Sequence, residues 1–301
     1  MKKIVRLLSI MAVIVVGCTA CGQNVTKNTA DDSGKVKVMT SFYTMYDFAQ
    51  KIGGEKVEIT NMVPSGTEPH DWEPSAIDIR NMEDADVFIY NGAGMEHWAE
   101  DILKSLDNSE LITVEASEGV ELIREGKEND PHVWLDPENA KIEMEHIKDA
   151  FIEADKDNAE YYNKNYETYS RQLDGLNQEF EETLSQVTNK DIIVAHKAFG
   201  YLCKAYGLNQ IAIEGLMPDS EPDPARMEEI IQLAKKKKIN TIFFEELVSP
   251  KVANTIAKEI GAKTEVLNPL EGLSEEQVDV GEDYFSVMRT NLKQIKNALE
   301  N

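Results

Sequence analysis

Between residues 159 and 187 the chain places Ala159, Tyr162, Tyr166, Tyr169, Leu173, Leu176, Phe180, Leu184 and Val187 at successive steps of three and four, with no proline among them. That spacing gathers side chains on one face of an α-helix. At 1.5 Å per residue, about 30 residues reach roughly 45 Å, so the rest of the chain must be arranged along one rigid spine that limits hinge motion. The competing use of such a stripe is a coiled-coil dimer. About four heptads is short for that, and other parts of the same chain can cover the face. A monomer is expected.

Strand and helix signals alternate on both sides of the spine. Strands are expected at 36–40, 57–63 and 86–90 with helices at 45–52 and 75–82, then strands at 191–195, 241–244 and 264–267 with helices at 198–206, 224–237 and 250–260. Strands separated by helices imply parallel, helix-covered sheets. The expected fold class is α/β: two lobes, each a mainly parallel sheet covered by helices, joined by one long helix. The boundaries read as 35–156 for the first lobe, 157–187 for the linking helix and 188–301 for the second lobe.

Ahead of the first lobe, Met1-Lys2-Lys3 and the apolar run 4–16 have the form of an export signal, residues 1–17. The run is shorter than the roughly 20 residues needed to cross a bilayer. Val15-Val16-Gly17-Cys18 resembles a bacterial lipobox, which makes Cys18 the expected lipidation site and Cys21 the weaker candidate. Residues 18–34 are polar and aperiodic after the cysteines and read as a flexible tether. The expected location is therefore extracytoplasmic, on the outer face of the membrane, held by an N-terminal lipid. Cys203, among apolar neighbours, reads as a buried thiol, and no disulfide is expected.

The chain carries 31 basic and 55 acidic side chains, a formal charge of −24. Nucleic acid is excluded as a partner, because phosphate backbones are bound by clustered Lys and Arg. The one basic run, 235–238, closes an amphipathic helix, where cations complement the helix end.

Three of the five histidines stand where strands or loops open onto the crevice between lobes. His70 follows a strand end in a loop held by Pro64, Gly66 and Pro69. His132 lies between Pro131 and Pro137. His196 ends the apolar strand 192–195, at the carboxyl edge where open α/β sheets bind ligands. Alone, each reads as a satisfied imidazole or a loop residue. Together they fit zinc, whose tetrahedral shell needs four donors, and an oxygen donor would complete it. Glu271, just beyond the last strand, is the candidate. His97 and His146 lack such settings and read as surface residues. No His-Glu-x-x-His, nucleophile elbow or Walker loop is present.

Pro64-x-Gly66-x-x-Pro69-His70, the segment 131–137 (PHVWLDP), the segment 196–202 (HKAFGYL) and the segment 267–273 (LNPLEGL) are similar to motifs of the zinc and manganese solute-binding proteins of ABC transporters, the ZnuA-like group. The resemblance spans nearly all of the mature chain. It implies two α/β lobes on a long helix, one metal donor from each of the first three motifs, a carboxylate from the fourth, and delivery to a permease driven by an ATPase. Segments 244–250 (FEELVSP) and 284–288 also resemble family signatures, without a clear ligand role. Manganese-type members place a carboxylate where this chain has His196, so a nitrogen donor there shifts the preference from Mn2+ toward Zn2+. Many zinc-type members carry a histidine-rich loop between the first two ligands; residues 115–130 here hold glutamates and no histidine. An appended second zinc domain is not expected. The expected function is capture of Zn2+ without catalysis; the rivals are a manganese counterpart, a metal-dependent hydrolase and a surface adhesin.

Overall fold

The computed structural model describes residues 34–218 and 222–300, so the signal segment, Cys18 and nearly all of the expected tether lie outside the described residues. The first sheet is built from β1 (Val36–Thr40), β2 (Val57–Asn61), β3 (Val87–Tyr90) and β4 (Ile112–Glu115), in the order β2-β1-β3-β4 and parallel throughout. Helices α1 (Tyr43–Gly53), α2 (Ala76–Glu83) and α3 (Ala99–Ser105) make its crossovers. A two-residue ribbon, β5 (Arg124–Glu125) with β6 (Glu128–Asn129), follows. Next comes α4 (Pro137–Ala154), started by Pro137 and by the Asp136 carboxylate, which accepts from the Glu138 backbone N–H.

The apolar stripe forms α5, Ala159–Leu184, entered through a short 3-10 turn at Lys156–Asn158. Its 26 residues extend about 39 Å. The second sheet holds β7 (Asp191–Val194), β8 (Asn209–Ala212), β9 (Thr241–Phe244) and β10 (Lys263–Val266), again parallel, in the order β10-β9-β7-β8. Its helices are α6 (Gly200–Tyr206), α7 (Pro224–Lys237), α8 (Lys251–Ile260), the short α9 (Glu275–Asp279) and α10 (Tyr284–Leu299).

The spine is covered by its own chain. Toward the first lobe, Asn165 donates to the Ile52 carbonyl at 2.8 Å. Toward the second, Tyr169 stacks near Phe285, Phe180 stacks on Tyr206 at 4.9 Å, and Arg289 forks onto the Glu179 carboxylate. Tyr162, Leu173, Leu176, Phe180 and Leu184 are buried in one apolar cluster that also takes in Val38 and Phe48 from the first lobe and Ile192 and Phe243 from the second. The stripe that could have made a coiled-coil seam is spent inside the molecule.

β4, the β5–β6 ribbon, β8, α9 and α10 are additions to the elements read from the sequence. β4 and β8 are edge strands of four residues with polar positions, Thr113 in one and Asn209 and Gln210 in the other, and so lack the apolar runs of the central strands. No helix among the described residues is long and apolar enough to cross a membrane.

Candidate metal centre

Parallel sheets open their ligand crevices at the carboxyl ends of the strands, and four polar side chains converge there. His70 lies in the loop leaving β2. Its backbone N–H donates to Glu68 Oε1 at 3.0 Å, and the loop is tied across the crevice by the Gly66 N–H to the Leu273 carbonyl at 3.0 Å. This places the two loops carrying His70 and Glu271 side by side.

His132 is fixed from within its own turn. Asp130 Oδ1 accepts from both the His132 backbone N–H, at 3.0 Å, and ring Nδ1, at 2.7 Å, so Nδ1 carries the proton and Nε2 is left as a lone pair. The turn is held from both lobes: Asn91 Nδ2 donates to the Pro131 carbonyl at 3.0 Å, and Tyr201 Oη to the Asp130 carbonyl at 2.9 Å. Gly200 matters here. A Cβ at that position would meet Asp130 Oδ2 at 2.4 Å, so any larger residue would push the carboxylate off the imidazole.

His196 follows β7. Its Nε2 donates to the Leu216 carbonyl at 2.8 Å, an oxygen that can only accept, which turns Nδ1 toward the crevice. Glu271 sits in the loop after β10, where Leu270 takes a left-handed φ of 65°, a conformation costing a non-glycine residue about 1 kcal/mol. Its neighbours hold it there. Asn291 on α10 both donates to the Asn268 carbonyl, at 2.7 Å, and accepts from the Asn268 N–H, at 3.0 Å. Trp134 Nε1 donates to the Pro269 carbonyl at 2.7 Å, and Thr44 Oγ1 donates to the Leu270 carbonyl. Trp134 belongs to the His132 turn, so one hydrogen bond sets the spacing of two candidate ligands.

His70 Nε2 is 3.3 Å from His132 Nε2 and 3.3 Å from Glu271 Oε1; Glu271 Oε1 is 2.8 Å from His132 Nε2 and 3.8 Å from His196 Nδ1. One donor atom from each of the four residues lies within 4.8 Å of the others. Donors 2.0–2.1 Å from a tetrahedral zinc stand about 3.3 Å apart, so His70, His132 and Glu271 already have nearly the spacing of a zinc shell, with His196 standing wider. All four residues are at most 3 % exposed.

Burial would raise the Glu271 carboxyl, but the imidazoles of His70, His196 and His132 outweigh it and hold the group well below the usual carboxylate range. Burial works against a charged His132, yet Asp130 and Glu271 raise it on balance. His196 is likewise opposed by burial and carried up to about 10 by Glu245 and Glu271. Without metal, His132 and His196 therefore favour their protonated forms, and a divalent cation bound among them would displace those protons.

The structure thus brings His70, His132, His196 and Glu271 together. His97 is exposed beside Glu73, as expected of a surface residue. His146 departs from that expectation: it is half-buried, with Nδ1 at 2.9 Å from the Ala116 carbonyl. Cys203 is buried, which pushes its thiol up to about 12. Sequence reasoning missed Asp130 and Glu245. Asp130 had a local signal, an Asp two residues before His132 in a proline-bounded turn; Glu245 meets His196 only through the sheet.

Residues 38–298 match the family described as zinc-uptake complex component A, periplasmic (ZnuA). The high-affinity zinc uptake system protein ZnuA of Bacillus subtilis (strain 168) is 42% identical over 308 residues, 97% of each chain. The zinc-binding lipoprotein AdcA of Streptococcus pneumoniae is 39% identical over the whole chain, which spans 62% of that longer relative. The crystal structure of the Zn(II)-bound ZnuA-like domain of S. pneumoniae AdcA superposes with a TM-score of 0.81 at 42% identity, covering 89% of this chain and all of that one. With the fold, the spine and a buried three-histidine, one-glutamate cluster in place, these matches establish that the chain belongs to the ZnuA family of zinc-uptake components.

Proposed function

We propose that the protein captures Zn2+ outside the cytoplasm through His70 Nε2, His132 Nε2, His196 Nδ1 and Glu271 Oε1, and hands it to the permease of an ABC transporter driven by its ATPase. The observation that carries this reading is the convergence of four buried donors close to the spacing of a tetrahedral shell. The protein is a solute-binding component of zinc uptake, and no enzymatic role is assigned to it. Three nitrogen donors favour zinc over manganese, which prefers oxygen-rich shells.

In this reading Asp130 orients His132, the Leu216 carbonyl orients His196, and the hydrogen-bonded loops around Trp134 and Asn291 hold Glu271. The metal joins the first lobe, which supplies His70 and His132, to the second, which supplies His196 and Glu271. A rigid spine shared by both lobes leaves the loops as the parts that yield when the ion enters or leaves. An N-terminal lipid at Cys18 would keep the protein beside its permease, and lobe limits of 35–156 and 188–301 around the 157–187 helix belong to the same proposal. Metal analysis and competition titration of the purified chain test it: one tightly held Zn2+ per chain, with Mn2+ bound more weakly, is the expected result. Absence of zinc binding would refute it.

A further inference from the structure

Glu245 is the first residue past β9, the strand lying between β7 and β10. The Ala195 N–H bonds to the Phe243 carbonyl, and the Leu267 N–H to the Phe244 carbonyl. Three neighbouring strand ends therefore deliver His196, Glu245 and Glu271 to one edge of the crevice. Glu245 is 4 % exposed, and its Oε1 lies 2.7 Å from His196 Nδ1.

That contact is close, but it is not a hydrogen bond: neither atom has a partner in line for a shared proton. Because Nε2 of the same ring already donates to Leu216, a neutral His196 presents Nδ1 as a bare lone pair. A lone pair and a carboxylate oxygen, both buried and 2.7 Å apart, are an arrangement that a cation between them stabilises and an empty space does not.

We propose that Glu245 is a fifth, oxygen donor of this metal site, taken up when the bound ion expands beyond four ligands. The proposal rests on the zinc-binding reading above and adds a residue to it. Zinc sites keep four ligands at rest and can expand to five. A carboxylate held against His196 Nδ1, beside the four-donor set, offers that expansion without admitting water, and it adds a hard donor to a shell otherwise dominated by nitrogen. It also gives a role to the Glu245 segment, which none of the four ligand loops explains.

Cobalt(II) is the probe, because its visible absorption bands are intense in four-coordinate sites and weaker in five-coordinate ones. The full chain and two variants would be loaded with Co2+: Glu245→Leu, similar in size and without a donor atom, and Glu245→Gln, which keeps a weaker oxygen. The bands should intensify in Glu245→Leu, with Glu245→Gln between it and the wild type, and Zn2+ affinity should fall about tenfold in Glu245→Leu. Identical band intensities in wild type and Glu245→Leu would overturn the proposal whatever the affinities, since a purely structural role would weaken binding without changing coordination number. Circular dichroism of the metal-free proteins checks folding; should Glu245→Leu not fold, the same comparison is read on Glu245→Gln. A wild type that binds neither Zn2+ nor Co2+ would instead sink the zinc-binding reading, and this proposal with it.

Discussion

His132 in the first lobe and His196 in the second each have a carboxylate oxygen 2.7 Å from Nδ1, from Asp130 and Glu245 respectively. Only the first contact is a hydrogen bond. Asp130 lies two residues from its histidine and binds Nδ1 in line, so Nε2 faces the site. His196 instead spends Nε2 on the Leu216 carbonyl, and Nδ1 faces the site. The residue types are the same in kind. What selects the metal-facing nitrogen is the in-line acceptor that reaches the ring first, and in the second lobe that acceptor is a backbone carbonyl from a neighbouring loop.

The comparison is broken most severely by removing either ring. Structural zinc sites hold their ion with about 10–16 kcal/mol, so one ligand of four carries roughly 3 kcal/mol. His132→Ala and His196→Ala should each weaken Zn2+ binding about 100-fold or more in a competition titration. Equal binding by wild type and His196→Ala would remove His196 from the site.

A smaller effect separates the two carboxylates. Asp130→Asn leaves an amide that no longer favours the Nδ1–H tautomer of His132, and zinc affinity should fall about 10- to 100-fold. Because Asp130 does not touch the ion, the cobalt spectrum should keep its intensity, in contrast to Glu245→Leu.

The smallest effect is protonic. His132 and His196 are both raised in the metal-free protein, His196 to about 10. Groups raised on folding contribute stability that is full below their unfolded value, near 6.5, and lost as pH climbs through the folded one. The metal-free protein should therefore lose thermal stability between about pH 7 and pH 10. The zinc-loaded protein, whose imidazoles are already unprotonated, should not show this loss. Calorimetry of zinc binding at pH 7 in buffers of different ionisation enthalpy should report at least one proton released per ion, and none released would contradict the assignment.

Much of this architecture is legible in the sequence because it is written in periodicities. The steps of three and four from Ala159 to Leu184 foretell the spine, and the apolar runs of β1, β7 and β9 foretell central parallel strands. His70 and His132 stand out because prolines frame their turns. The edge strands β4 and β8 escape notice because half-exposed strands need no apolar run. Glu245 escapes for a topological reason: β7 and β9 are neighbours in the sheet but not in the chain, with α6, β8 and α7 between them. A carboxylate 49 residues from His196 carries no spacing signal that a sequence pattern could expose.

The four donor residues are at most 3 % exposed, and this bears on time as much as on affinity. A chelator in solution cannot form a mixed complex with an ion enclosed on all sides, so it must wait for the loops to part. Stripping of zinc should therefore follow a rate that stops rising once chelator is in excess, set by the protein's own opening. Outside the cytoplasm, among competing ligands, such a clock would keep the cargo in place until a partner that prefers the opened loops shortens the wait.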